Sequence, residues 1–179
     1  MDFFNMDSAV MRSFVPEITR PYAPSDIVIR PGEPGDVDLI LEMHERLSDE
    51  SLYKRYHAPR RPTREEVARI CALNEENGRL LVAVIPGRRS QIVGMAYYVL
   101  TGDSADTAFL VEDSFQGMGI GKRLVRALVR QAITQGVHYF DAHVLPSNRS
   151  MIHLLLQAGK LVYNRLDFGA RDLRVEIES

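Results

Sequence analysis

The most informative segment of the chain reads Val111-Glu112-Asp113-Ser114-Phe115-Gln116-Gly117-Met118-Gly119-Ile120-Gly121-Lys122. It joins an apolar strand-like run, 107–111, to the clearest amphipathic helix pattern in the sequence, 117–135. That helix is indicated by a row of apolar residues at i, i+4 spacing, with basic residues largely off the row. The row consists of Ile120, Leu124, Leu128 and Ala132. Three alternating glycines therefore stand where a strand turns into a helix N-terminus.

The glycines at this turn predict an anion-binding site. The first amides of a helix lack partners within the helix, and the helix dipole is positive at that end. Glycine lets the backbone approach a ligand closely, so that free N–H groups can hold the oxygens of a diphosphate. The alternative is that the glycines only form a tight strand-to-helix turn.

Two nucleotide-binding motifs are excluded by the residues around the glycines. A Walker A loop needs glycine at position 116 and Ser or Thr at 123, where the chain has Gln116 and Arg123. A dinucleotide-binding fingerprint that begins at Gly117 needs glycine at position 122, which is Lys122. Neither class of nucleotide-binding loop is therefore predicted.

Strand-like and helix-like patterns alternate along the rest of the chain. Apolar and β-branched runs predict strands at 27–30, 79–85, 91–100, 107–111, 137–145, 161–168 and 172–177. Helical spacing predicts further helices at 37–47 after an Asp36 cap, 50–56, 63–71 with a Thr63/Glu66 capping box, and 148–158. Turn residues connect the strands between 79 and 111 as an antiparallel meander, and Gly169 closes a last hairpin. Together, these strands and helices predict a mixed α/β (α+β) domain with a mostly antiparallel central sheet flanked by helices.

Composition and charge restrict the class of protein. The 179 residues are 45% hydrophobic with a formal net charge of -2, which is typical of a globular domain and gives no bulk positive field for nucleic acid. No apolar run could cross a bilayer and no export signal is visible, so we expect a cytoplasmic protein without a membrane partner. We expect a proline-containing N-terminal arm, 1–26, followed by one domain, 27–179.

The cysteine and histidine residues give no indication of a metal site. The single cysteine, Cys71, can form neither an internal disulfide nor a cysteine-based zinc site, and its apolar helix face predicts an inert buried thiol. His138 and His143 lie on one predicted strand at an odd separation, so their side chains point to opposite faces. We therefore expect no metal cofactor.

The glycine segment resembles the signature of a known superfamily. Residues 116–121, Gln-Gly-Met-Gly-Ile-Gly, match the Gln/Arg-x-x-Gly-x-Gly/Ala motif of the GNAT superfamily of acyl-CoA-dependent N-acyltransferases. The order of the surrounding elements is also similar to that of the family: a strand before the motif, a helix after it, the next strand, Asn148 and Gly159. The resemblance covers about 27–177 and implies the GNAT fold.

Further stretches resemble the acetyltransferase module of bacterial Pat-type protein lysine acetyltransferases. They are residues 51–56 with 59–62 and, in the second half of the chain, 144–151. The arm is too short for the cyclic-nucleotide-binding or acyl-CoA synthetase domains that such enzymes can carry. This resemblance implies transfer of an acetyl group from acetyl-CoA directly to a primary amine, a protein lysine, without a covalent enzyme intermediate.

The resemblance also implies which residues hold acetyl-CoA. Backbone amides of 117–122 would bind its pyrophosphate, and backbone groups of 109–111 would line the pantetheine arm and polarise the thioester carbonyl. Asn148 would contact the cofactor, serve as the N-cap of its helix, or do both. The implied cofactor-binding residues are Phe109, Leu110, Val111, Gln116, Gly117, Met118, Gly119, Ile120, Gly121, Lys122 and Asn148.

Two positions that concern the chemistry depart from the family's pattern. Pat-like enzymes typically carry a glutamate at the strand position of Asp106, which is therefore the candidate general base, acting through a water because its reach is shorter. The alternative is that Asp106 is simply a polar residue at a strand start. Many GNAT enzymes have a tyrosine acid where this chain has Leu155, so no general acid is assigned. A basic run within 54–64 could meet the cofactor's ribose phosphate or an acidic protein surface, or be solvated.

Two other functions are compatible with these residues. The acceptor could be a small amine, such as an aminoglycoside, a polyamine or an amino acid. Because Asp106 and Leu155 occupy the catalytic positions, the domain could also be a non-catalytic sensor or interaction module that binds acetyl-CoA. The sequence leaves the oligomeric state open.

Overall fold

The computed structural model of the chain describes residues 22–177, in which one seven-stranded sheet carries five α-helices. The strands are β1 (Val28–Pro31), β2 (Gly78–Ile85), β3 (Gln91–Thr101), β4 (Ser104–Val111), β5 (Tyr139–Val144), β6 (Gly159–Asp167) and β7 (Ala170–Ile177). The helices are α1 (Val37–Glu45), α2 (Asp49–Tyr56), α3 (Arg64–Cys71), α4 (Ile120–Thr134) and α5 (Arg149–Leu155). Every predicted strand and helix is present, with bounds that differ by a few residues.

The order of strands across the sheet is β1-β2-β3-β4-β5-β7-β6. All neighbouring pairs are antiparallel except β4 and β5, which confirms the predicted mixed α/β domain with a mostly antiparallel sheet. The meander from β2 to β4 and the closing hairpin of β6 and β7 are confirmed as well. The parallel pairing covers only 104–106 against 139–141, so β4 and β5 separate beyond these residues.

Helices cover both faces of the sheet at β2 and β3. One face packs against α4, where Leu124 and Leu128 are fully buried. The other face packs against α1 and α3, and Ile40 and Met43 of α1 are fully buried there. Because β2 is buried on both sides, residues 80–85 form a continuous apolar run rather than an alternating one.

The predicted caps of α1 and α3 have different outcomes. The capping box of α3 is confirmed: the Glu66 amide donates to the Thr63 hydroxyl at 3.3 Å, and the Thr63 amide donates to the Glu66 carboxylate at 2.8 Å. The prediction for α1 is wrong, because the side chain of Asp36 does not cap that helix. Its buried carboxylate instead accepts two hydrogen bonds from Arg30, each 2.7 Å long, and one from the Glu33 amide. A buried charge needs such partners, and Arg30 supplies them.

Most of the predicted arm, 1–26, lies outside the described residues. The end of the arm that is described packs beside the glycine segment. The ring of Tyr22 lies 6.1 Å from that of Phe115, and Arg123 of α4 donates to the carbonyl oxygens of Pro24 and Ile27. The chain is thus attached to α4 just before β1 begins. No helix within 22–177 is long and apolar enough to traverse a bilayer.

Gly159, at the start of β6, tests how closely the backbones pack in the sheet. A Cβ atom there would overlap the carbonyl oxygen of Glu176 on β7. We therefore expect Gly159→Ala to cost roughly 1–3 kcal/mol of unfolding free energy and to lower the melting temperature by roughly 2–12 °C. Gly35→Ala is the matched control, because a Cβ at Gly35 meets no atom within 4 Å. The melting temperatures are measured by circular dichroism. Equal values for the two variants would contradict the expectation.

Candidate active site

An open cleft of about 500 Å³ lies where β4 and β5 separate. Its walls are the C-terminal half of β4, the glycine segment, the first turn of α4, one side of α2, the end of β5, and α5. Five of the helices and strands thus meet at one place, because the interrupted pairing leaves a gap in the middle of the sheet.

The edge of β4 that faces β5 forms the floor of this cleft. The Thr107 hydroxyl donates to the carbonyl oxygen of Asp141 at 2.9 Å, just beyond the short parallel pairing. From Ala108 onward β4 has no strand partner on this side within residues 22–177, and 108–111 line the cleft. Backbone amides and carbonyls along this edge are available to an extended ligand that lies against it as another strand would.

The glycine segment combines a tight turn with an open helix N-terminus. Gly117 and Gly119 have left-handed backbone conformations, with φ of 76° and 77°, which explains glycine at these two positions. Helix α4 begins at Ile120 beside the cleft, and no side chain of the described part of the chain caps it. The amides of its first turn are therefore open to a ligand at the positive end of the helix dipole. This is the geometry that an anion site requires.

Hydrogen bonds from Ser51 of α2 and from Ser48, the N-cap of that helix, hold the loop in front of the glycines. Asp113 accepts from the Ser48 amide at 3.0 Å and from the hydroxyls of Ser48 and Ser51 at 2.8 Å. Burial would raise the pKa of Asp113, but these hydrogen bonds outweigh burial and lower the pKa below its usual value. The Gln116 side chain donates to the carbonyl oxygen of Val111 at 3.0 Å. Hydrogen bonds at Asp113 and at Gln116 therefore hold the loop that precedes the glycines.

The cleft brings together the residues predicted to bind the cofactor, with the exception of Met118. The side chain of Met118 packs against the hydrophobic core and does not line the cleft. Asn148 lines the cleft and also caps α5, because its side chain accepts from the Met151 amide at 3.2 Å. The predicted residues that line the cleft are Phe109, Leu110, Val111, Gln116, Gly117, Gly119, Ile120, Gly121, Lys122 and Asn148.

Asp106, the candidate general base, lies outside the set of residues that line the cleft. Its side chain is exposed, between Val99 of β3 and Asp141 of β5 in the sheet register. Ala108, two residues further along β4, does line the cleft. A carboxylate at position 106 is therefore close to the site, and contact with a reacting amine would require a bridging water.

Sequence patterns do not assign His143 to the site, yet it lines the cleft from β5. Its Nδ1 is paired with the carboxylate of Asp172 on β7, the residue directly opposite in the strand register. The side chain of His143 is 72% exposed, and a carboxylate at Nδ1 favours the tautomer that leaves the lone pair of Nε2 free. In the sequence, the two residues are visible only as polar positions on two separate predicted strands. The register between β5 and β7 is what places them opposite each other.

Neither the cysteine nor the position of the missing tyrosine offers a reactive group at the cleft. Cys71 is buried in α3, and burial raises the pKa of its thiol to about 11, so little thiolate is present at neutral pH. Leu155 is fully buried in the core. Within residues 22–177 there is no group of three or more His, Cys, Asp or Glu side chains that could hold a metal ion.

Comparison with known proteins identifies the family. Residues 41–159 match the family model of the acetyltransferase (GNAT) family. Acetyltransferase Pat of Mycolicibacterium smegmatis is 32% identical over 152 residues, which make up 83% of this chain and 45% of that protein. The chain thus spans less than half the length of this curated relative.

Solved structures share the fold. The GNAT domain of S. lividans PAT has a TM-score of 0.74 at 28% identity, over 83% of this chain and 89% of that one. A GNAT superfamily phosphinothricin acetyltransferase from Sinorhizobium meliloti, in complex with AcCoA, has a TM-score of 0.67 at 19% identity, over 85% and 89% of the two chains. The second likeness bears on the fold alone. Because the family model matches residues 41–159, the chain belongs to the GNAT family of acetyltransferases.

Proposed function

We propose that the chain transfers the acetyl group of acetyl-CoA directly to a primary amine, namely the side chain of a protein lysine. The observation that carries the proposal is the cleft in which an uncapped helix N-terminus meets the unpaired edge of β4. The first feature suits a diphosphate, and the second suits an extended chain with amide groups. Acetyl-CoA has both parts, and a member of the family from Sinorhizobium was crystallised with AcCoA.

The direction of β4 gives the orientation of the cofactor. The pyrophosphate would lie on the amides of 117–122, beyond the C-terminal end of the strand, with the pantetheine arm along 109–111. Following β4 back from Val111 to Ala108 covers about 10 Å. The thioester would therefore lie at the level of Ala108, where β4 and β5 begin to separate.

Direct transfer is supported by the position of the single cysteine. An acyl-enzyme route needs an activated nucleophile at the thioester. Cys71 does not line the cleft, and its thiol is protonated at neutral pH because burial raises its pKa to about 11. The acceptor amine is then the group that attacks the thioester.

Before it can attack, the acceptor ammonium must lose a proton, and two groups are candidates for the base. Asp106 is the candidate from the sequence, and His143 is the candidate that lines the cleft and is oriented by Asp172. We propose that Nε2 of His143 takes the proton. The nitrogen lone pair then forms a bond to the thioester carbon, and the carbon–sulfur bond breaks with its electron pair on sulfur. The second proton on the nitrogen goes to the thiolate, and the imidazolium releases its proton to solvent.

A protein lysine as the acceptor is supported by the Pat-like stretches 51–56 and 144–151, which both contribute to the cleft. It is also consistent with the 32% identity to acetyltransferase Pat. A lysine side chain is long and flexible, so its amine can reach a thioester at the level of Ala108 while its own backbone stays at the mouth of the cleft.

The acceptor class is tested by following the label from acetyl-CoA in a cell lysate. We expect label in the macromolecular fraction, in a linkage that resists hydroxylamine, because an amide resists this reagent and a thioester does not. The His143→Gln variant serves as the control for background acetylation by acetyl-CoA itself. Label confined to small molecules would instead assign a small amine, and label in neither fraction with acetyl-CoA still bound would assign a sensor.

A further inference from the structure

A second pocket of about 340 Å³ adjoins the cleft and shares Arg55 with it. Tyr97 and Val99 of β3 line its base, and residues of α2 and α3 line its sides. Because Arg55 lines both cavities, the two lie side by side at this guanidinium. We call it the side pocket.

The strand register places the side pocket at the acceptor end of the cleft. Tyr97 lies opposite Ala108, and Val99 lies opposite Asp106. The glycine segment follows the other end of β4, about 10 Å further along the strand from Ala108. The phosphates of the cofactor would therefore lie away from the side pocket, and the group that enters it would belong to the acceptor.

The side pocket carries an excess of positive charge in a chain of negative net charge. Its walls hold three guanidinium groups, those of Arg55, Arg60 and Arg69, and one carboxylate, that of Glu66. Arg60 is paired with Glu66 at 2.8 Å. Burial raises the pKa of Tyr56 to about 12, so this wall residue stays neutral and cancels none of the charge.

Arg55 is the least exposed of the three arginines, since Arg60 and Arg69 are exposed. It is half-buried, with its guanidinium carbon 4.9 Å from the ring centre of Tyr56 and 5.5 Å from that of Tyr97. It donates to the Tyr97 hydroxyl, and neither Arg55 nor Arg69 pairs with a carboxylate in the described part of the chain. A guanidinium that has lost part of its hydration and faces a cavity favours an acceptor of charged hydrogen bonds, and the planar carboxylate matches its geometry.

We propose that the side pocket binds a carboxylate of the acceptor, supplied by an acidic side chain close in sequence to the target lysine. This inference rests on the proposed function, because it specifies which lysines that function modifies. The carboxylate on Arg55 and Arg69 would hold the neighbouring peptide against β3 and direct the lysine amine toward the thioester at Ala108.

The test compares kcat/KM for peptides that carry Glu or Gln at the positions within three residues of one lysine. We expect the wild-type protein to prefer the best Glu peptide over its Gln counterpart by about tenfold. In Arg69→Gln this ratio falls to about threefold, because the Arg55 guanidinium remains, and the affinity for acetyl-CoA is unchanged because Arg69 lines only the side pocket. Arg64→Gln on the same helix is the control, since Arg64 pairs with Asp38 away from the pocket.

The outcomes separate this inference from the proposed function. Equal kcat/KM for the Glu and Gln peptides in the wild-type protein overturns the carboxylate site and leaves lysine acetylation intact. Transfer to no peptide, with acetyl-CoA bound, overturns the proposed function itself. Free lysine and lysine amide form a further arm: a preference for free lysine in the absence of any peptide preference would overturn the acidic side chain and assign the α-carboxylate of a small acceptor.

Discussion

Gly119→Asp is expected to weaken the binding of acetyl-CoA by roughly 100-fold or more. The substitution places a carboxylate at the N-terminus of α4, where the open amides and the helix dipole would otherwise meet the cofactor's pyrophosphate. Like charges about 4 Å apart near a protein surface repel by a few kcal/mol, and the new carboxylate can also cap the helix and occupy the free amides. Isothermal titration of the variant with acetyl-CoA measures the loss directly.

Gly102→Asp is the matched control for this experiment. Gly102 lies in the turn between β3 and β4, has a φ of 67° close to that of Gly119, and like Gly119 has no atom within 4 Å of an added Cβ. The two variants therefore carry a similar backbone penalty and the same added charge, and they differ in location. Affinity that is equally reduced in both, or undiminished in Gly119→Asp, would contradict the anion site.

His143→Gln is expected to lower kcat for amine acetylation at neutral pH by roughly 100- to 10,000-fold, the usual contribution of a general base. The affinity for acetyl-CoA should stay within about twofold of wild type, since binding depends on the glycine segment and β4. The deficit should shrink as the pH is raised toward about 10, because a lysine amine then loses its proton without help. A complete pH–rate profile for both proteins checks the two statements together.

Two further variants distinguish His143 from Asp106 as the base. Asp172→Asn removes the charge that pairs with Nδ1 and should give a smaller loss with the same pH dependence, because Asp172 positions the ring and does not touch the amine. Asp106→Asn should change the rate little. If Asp106→Asn showed the large pH-dependent loss and His143→Gln did not, Asp106 would be the base and the assignment of His143 would be wrong.

The sequence was sufficient for the fold because local patterns and family resemblance pointed to the same architecture. The continuous apolar run of β2, the i, i+4 row of α4 and the capping box at Thr63 are each local, and each is confirmed by the structure. Asp36 shows the limit of local inference. A cap is a favourable use of an aspartate, but the arginine on the preceding strand supplies a better partner for a buried carboxylate, and that contact depends on how β1 packs.

The part of the cleft formed by the glycine segment was predictable from the sequence, and the part formed by His143 and the arginines was not. The proposed pyrophosphate site consists of consecutive residues, 117–122, so one motif contains it. The pairing of His143 with Asp172 depends on the register of two strands, and Arg55 reaches Tyr97 from a helix 42 positions earlier. The basic run in 54–64 was visible as charge, but its side chains divide between surface ion pairs and the side pocket. Only the tertiary contacts show which of these basic side chains form surface ion pairs and which line the side pocket.

The short pairing between β4 and β5 gives the sheet two halves that are joined by three residue pairs. Under the proposed function, the pantetheine arm lies in the gap and hydrogen-bonds to the free edge of β4. The cofactor then makes hydrogen bonds to this edge that β5 does not make. Binding and folding are then linked: a ligand at 100 times its Kd stabilises the folded state by about 2.7 kcal/mol. The resistance of the protein to proteolysis would therefore rise with the combined supply of acetyl-CoA and CoA, because both carry the pyrophosphate and the pantetheine arm.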